Sequence, residues 1–184
     1  MKSKIILSMI AAFMLTTFTA FGAGITFGSA GALKDTKLTN TKMLTYAMQD
    51  EYLAKAEYDK IISTLKAGRP FTNIIKSEAT HISWLTDLFK TYKIAIPKNT
   101  ASKYVTVPKT LTEAYKAGVA AEKSNIAMYD KFLKQKNLPS DIAVVFKNLK
   151  NASVNHLKSF NNALAGGIEF GQGSGNGSGS GNNN

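Results

Sequence analysis

The chain contains two histidines and no cysteine. Metal, acid–base or redox chemistry must therefore rest on imidazole, carboxylate and hydroxyl groups. One histidine lies in Glu78-Ala-Thr-His81, inside an apolar-periodic run. There Ile74, Ile75, Leu85, Leu88, Phe89 and Tyr92 recur at three- and four-residue steps. That period predicts a helix with one buried face. Residues i and i+3 are neighbours on a helix, so Glu78 and His81 share that face. A buried charge without a partner is strongly disfavoured, so this pair calls for a counter-charge in the core. A metal ion supplies one.

The same reading finds polar residues on three other inward lines. Glu51 lies on a line through Leu44, Met48, Lys55, Tyr58, Ile62 and Leu65. Glu122 lies on a line through Tyr115, Val119, Ile126, Tyr129 and Leu133. Ser153 and His156 lie on a line through Ile142, Val145, Phe146, Leu149, Phe160 and Leu164. A di-metal carboxylate centre inside a four-helix bundle takes one Glu from each of two helices and Glu-x-x-His from each of the other two. This chain meets the pattern at Glu51, Glu78, His81, Glu122 and His156, and Ser153 replaces the sixth group. Both histidines fall on the required positions. Carboxylates bridge and charge-balance the metals of such a centre, and imidazoles cap them terminally. Any one of these residues alone reads as a satisfied core group or an edge side chain. Five together on four consecutive helices read as a ligand set. Tyr58, Tyr115 and Tyr129 read first as core aromatics, and Trp84 reads as packing.

The elements that must position these groups form an all-α chain. The first helix starts near residue 41, with Thr39 or Asn40 as N-cap, and stops before Gly68 and Pro70. The second runs from about Phe71 to Tyr92. Thr110-Leu-Thr-Glu113 is a capping box that starts the third. Ser140 caps the fourth, and Gly166-Gly167 ends it. Between the second and third helices lie 17 residues, 93–109, with two prolines and no helical period. Fully extended they reach ~55 Å, whereas a 25-residue helix is only ~38 Å long. The link is long enough to traverse the bundle. The expectation is a four-helix bundle over residues 41–165 with one long crossover.

Both ends read differently. Lys2 and Lys4 precede an apolar run from Ile5 to Phe21, and small residues follow at Gly22 and Ala23. Residues 1–23 are thus expected to be a signal peptide, and the protein to be secreted, periplasmic or at the cell surface. Residues 24–40 are expected to be a flexible leader. Residues 166–184, rich in Gly, Ser and Asn, are expected to be a flexible tail.

Lys and Arg number 23 against 12 Asp and Glu, for a formal charge of +11, and Arg69 is the sole arginine. Base-specific nucleic-acid contacts lean on bidentate arginine, so sequence-specific nucleic-acid binding is not expected. Without cysteine, iron–sulfur, zinc–thiolate and disulfide chemistry is excluded. The lysine excess reads first as solvated surface and second as a signal for an anionic cell-surface partner.

The motifs Asp50-Glu-Tyr-Leu-Ala54, Glu78-Ala-Thr-His81 and Asn155-His-Leu157 resemble those of the ferritin-like superfamily, which includes ferritins, rubrerythrins and di-iron oxidases. They are most similar to a branch catalogued as a domain of unknown function. The resemblance covers about residues 41–164. It implies a ferritin-like bundle with a metal centre at its midpoint, holding two iron or manganese ions. It also implies ferrous-iron oxidation or peroxide removal as the activity. Ser153, where a catalytic ferritin-like protein has its last Glu, implies a weaker second ion. A second reading is a metal-free structural or binding module of the cell surface that uses its Lys-rich face.

Overall fold

The computed structural model describes residues 26–169. They form five helices: α1 (Gly28–Lys34), α2 (Asn40–Leu65), α3 (Phe71–Thr91), α4 (Leu111–Leu133) and α5 (Ser140–Glu169). A short 3-10 turn, Ala101–Lys103, interrupts the link between α3 and α4. Among the described residues no helix is long and apolar enough to cross a membrane. The expected signal peptide and the tail beyond residue 169 lie outside the described residues.

The four long helices make the bundle. Thr39 caps α2 by accepting from the Lys42 N–H at 3.2 Å. At α4 both halves of the capping box form: the Glu113 N–H donates to Thr110 Oγ1, and Glu113 Oε2 accepts from the Thr110 N–H. Helix α2 packs along α3, and α4 along α5.

Side-chain pairings fix the directions. Tyr129 reaches Glu51 while Tyr58 reaches Glu122, so α2 and α4 run antiparallel. Tyr92 bonds Asp141 at one end while Phe71 meets Phe160 at the other, so α3 and α5 are antiparallel too. Glu51 meets His81 while Tyr58 meets Phe71, so α2 and α3 are antiparallel as well. Helix α3 then runs parallel to α4, and the link must return the full length of the bundle. The long crossover expected from chain reach is the consequence.

Two apolar layers fill the interior. One gathers Met43, Leu44, Leu85, Phe89, Tyr129, Phe132 and Phe146. The other gathers Tyr58, Ile61, Phe71, Ile74, Ala114 and Phe160. Between them lies a polar layer of Glu51, Glu78, His81, Glu122, Ser153 and His156, all buried. On α4, Gly118 faces the Phe160 ring so closely that a Cβ there would lie 2.7 Å from it. The absent side chain lets α4 and α5 close over the second layer.

Three expectations require correction. Residues 24–40 are not wholly a flexible leader, because α1 occupies Gly28–Lys34 and docks on α2 and α4. Asp50 Oδ1 accepts from the Ser29 N–H at 2.6 Å, and Gln49 Oε1 accepts from the Gly28 N–H at 3.1 Å. At the other end Lys131 Nζ donates to the carbonyls of Ala32, Leu33 and Asp35. Gly28 sits at φ +54°, and a Cβ there would lie 2.5 Å from Asp50 Oδ1. Only glycine accepts both the left-handed backbone and that approach.

Next, Gly166-Gly167 do not end the last helix, which continues to Glu169. Two glycines weaken a helix by about 1 kcal/mol each, which does not by itself terminate one. Finally, Trp84 is not core packing. It is 38% exposed, with its ring 5.5 Å from that of His81.

Candidate metal centre

All five candidate ligands lie in the buried polar layer, and each is at most 8% exposed. Each comes from the middle of its helix, where the apolar layers above and below exclude water. They fall into two groups: Glu51, Glu78 and His81, and Glu78, Glu122 and His156. Within each group one potential ligand atom per residue lies within 4.8 Å of the others, a spacing that could hold an ion. Glu78 belongs to both groups, so its carboxylate lies between them. Ser153 is buried in the same layer.

The contacts are close. His81 Nδ1 lies 3.0 Å from both Glu51 Oε2 and Glu78 Oε2. His156 Nδ1 lies 3.3 Å from Glu78 Oε1 and from Glu122 Oε1. The two imidazole rings face each other with centroids 5.9 Å apart. Glu122 Oε2 is buried with no hydrogen-bond partner. A sealed carboxylate oxygen without a donor is unfavourable by about 1–3 kcal/mol, and a cation there would remove that penalty.

Electrostatics separate the carboxyls. Burial, the neighbouring Glu51 charge and its hydrogen bond, then Glu122 and Asp50, push Glu78 well above the ordinary carboxylate range. Burial also works against the Glu51 charge. Hydrogen bonds from His81 and Glu78, the His81 charge and the Tyr129 hydroxyl outweigh it and hold Glu51 below its usual value. Glu78 is thus biased toward its protonated form beside a Glu51 biased toward its charged form. Two carboxyls so divided are the expected state of a close pair with no cation between them.

Two tyrosines support the layer. The Tyr129 hydroxyl donates to Glu51 Oε1 at 2.7 Å, and that of Tyr58 donates to Glu122 Oε1 at 3.0 Å. Burial first, then the facing carboxylates, push both phenols well above their ordinary value, so both stay protonated donors. The reading of these two as core aromatics is incomplete: each ring fills an apolar layer while its hydroxyl reaches the polar one. Tyr115 remains purely a packing residue, stacked on Phe71 at 5.6 Å.

The sequence patterns missed two buried acids. Asp50 and Glu57 lie one position before Glu51 and Tyr58 on α2, turned toward α1 and α4. Burial raises Asp50 to about 7 against its bond from the Ser29 N–H, with the nearby Glu51 charge adding to the rise. Burial, then the Asp50 charge, raise Glu57 to about 8. No periodicity could have found them, because the cover over that side of α2 is the short helix α1.

Among solved structures, this fold is similar to the bacterioferritin-related protein from Bacteroides fragilis, described as a dodecameric thioferritin. The TM-score is 0.61 over 79% of this chain and 91% of that one, at 13% identity. At that identity the likeness is one of fold. With the Glu and His layer, it places the molecule among ferritin-like helical bundles. Residues 40–172 match the family described as an uncharacterized protein domain (DUF2202), and the chain belongs to that family. No curated protein matches the chain.

Proposed function

We propose that this protein is an exported metal-binding bundle with a di-iron or di-manganese carboxylate centre, acting in ferrous-iron oxidation or peroxide removal. The observation that carries the reading is the pair of buried Glu and His groups joined by Glu78. The donor set fits the metals: three carboxylates and two imidazoles suit divalent iron or manganese. The unpartnered Glu122 Oε2 and the proton forced onto Glu78 are what such a site should show without its ions. Glu51, Glu78 and His81 would hold one ion, and Glu78, Glu122 and His156 the other. Bound there, the metals would supply the redox and Lewis-acid chemistry of the centre.

The chain's own residues do the rest. The phenols of Tyr129 and Tyr58 fix the Glu51 and Glu122 carboxylates by hydrogen bonds, so these ligands need little reorganisation to bind. The apolar layers keep bulk water out. Metal entry must release the Glu78 proton, so binding is proton-coupled. Three carboxylates supply one negative charge fewer than two divalent ions require. The shortfall lies on α5, where Ser153 stands one turn before His156.

The centre is therefore asymmetric in this proposal, with a tight ion beside His81 and a weak, exchangeable one beside His156. Anaerobic titration with ferrous or manganous ion tests it. One tight and one at least tenfold weaker ion per chain are expected, and Ser153→Glu should tighten the second. Two equally tight ions would refute the asymmetry. No ion bound would refute the metal reading.

The proposal of export rests on Lys2, Lys4, the apolar run to Phe21 and the small residues after it. Protein from the native host should begin near residue 23 or 24 on N-terminal sequencing. An intact Met1 would overturn it.

A further inference from the structure

A second buried feature lies outside both Glu and His groups. Helices α1, α2 and α4, with Tyr104 from the link, line a partly open cavity of about 130 Å³. Its walls include Phe27, Leu53, Tyr104 and Ser124, together with the carboxyl groups of Asp50 and Glu57. None of the five candidate metal ligands lines it.

Glu57 is the unexplained group. It is 6% exposed, and its Oε1 is sealed with no hydrogen-bond partner. Asp50 holds the first turn of α1, but Glu57 Oε1 holds nothing. Glu57 lines the cavity while its Oε1 is closed off even from water, so a turn of the carboxyl about its last bond would offer this donor-less oxygen to a ligand there.

We propose that this cavity binds a short aliphatic amine in its ammonium form. The ammonium lies at Glu57, and its chain lies along Leu53 and the Phe27 and Tyr104 rings. The size agrees: a cavity of roughly 150 Å³ holds a molecule as large as benzene. The wall agrees as well. Most of it is apolar, which suits an alkyl chain. The Phe27 and Tyr104 rings, packed on each other at 4.6 Å, form an apolar aromatic wall against which an alkyl chain can lie. A bare divalent ion fits less well. Asp50 and Glu57 are two helical turns apart, ~10 Å along the axis. Asp50 Oδ1 is already committed to Ser29. An inorganic ion would leave the apolar wall uncovered.

Titration of the full-length protein, kept free of paramagnetic iron and manganese, with butylammonium, 1-butanol and magnesium ion, followed by NMR of residues around the cavity, tests the site. Butylammonium should produce saturable shifts at Ala54, Tyr104 and Ala121, with 1-butanol at least tenfold weaker. Glu57→Gln should weaken butylammonium binding at least tenfold. Leu53→Phe, which fills the cavity and keeps the carboxyl, should do the same. Equal binding of 1-butanol, full binding by Glu57→Gln, or the same shifts at lower concentration with magnesium would each overturn the proposal.

Discussion

Glu78→Ala is expected to abolish the metal-dependent rise in melting temperature almost completely, whereas Glu122→Ala, which removes only the weaker ion, keeps roughly two-thirds of it. The reason is position. Glu78 belongs to both Glu and His groups, and Glu122 to one. An ion that binds only the native state, at a hundred times its Kd, adds about 2.7 kcal/mol. A tenfold weaker second ion at the same concentration adds about 1.4 kcal/mol, so the pair adds about 4 kcal/mol, or roughly 8–16 °C in Tm for a chain of this size. Each variant is compared with and without metal, so the loss of packing at the substituted position cancels. Calorimetric scans with and without manganous ion read the difference. The bridging role is refuted if Glu78→Ala and Glu122→Ala retain equal shifts. A full shift in Glu78→Ala would remove it from the ligand set.

The bundle was legible because its four long helices each carry more than twenty residues of one period. Twenty residues supply several turns of repeated apolar positions, which chance does not imitate. The crossover was legible from chain reach alone. The candidate ligands were legible for a related reason: a Glu or His on an otherwise apolar line is conspicuous.

What escaped shares one cause. Helix α1 has seven residues, among them Gly28 and Gly31, and shows no period. It is held by Asp50 and Lys131, which are distant in sequence. Asp50 and Glu57 look like solvent-facing residues until α1 covers them. Tyr58 and Tyr129 were placed in the core, but the direction of their hydroxyls depends on the antiparallel pairing of α2 with α4. In each case the information lies in a contact between elements rather than in the element itself.

Glu57 gives the other large effect. Its carboxyl titrates at about 8 in the folded protein, raised first by burial and then by Asp50. In an unfolded chain a glutamate titrates near ~4.3. Between those values the folded state holds a proton that the unfolded state has released. Stability then falls as pH rises through that window, and the contribution is intact below about pH 4. The slope from this one group is about 1.4 kcal/mol per pH unit. Gln is nearly isosteric with the protonated acid and cannot ionise. Glu57→Gln should therefore match the parent at pH 5, within about 1 kcal/mol. By pH 8 it should be more stable by a few kcal/mol, because the parent must ionise a buried group or keep an expensive proton. Asp50, raised to about 7, adds its own slope to both proteins, and because its charge and that of Glu57 repel, replacing Glu57 by Gln also relieves Asp50 and widens the difference at high pH. Urea midpoints at pH 5, 6, 7 and 8, with metal content held equal, measure the divergence. Parallel stability curves across that range would show that Glu57 is already ionised in the fold. The cavity beside it would then contain a resident counter-charge.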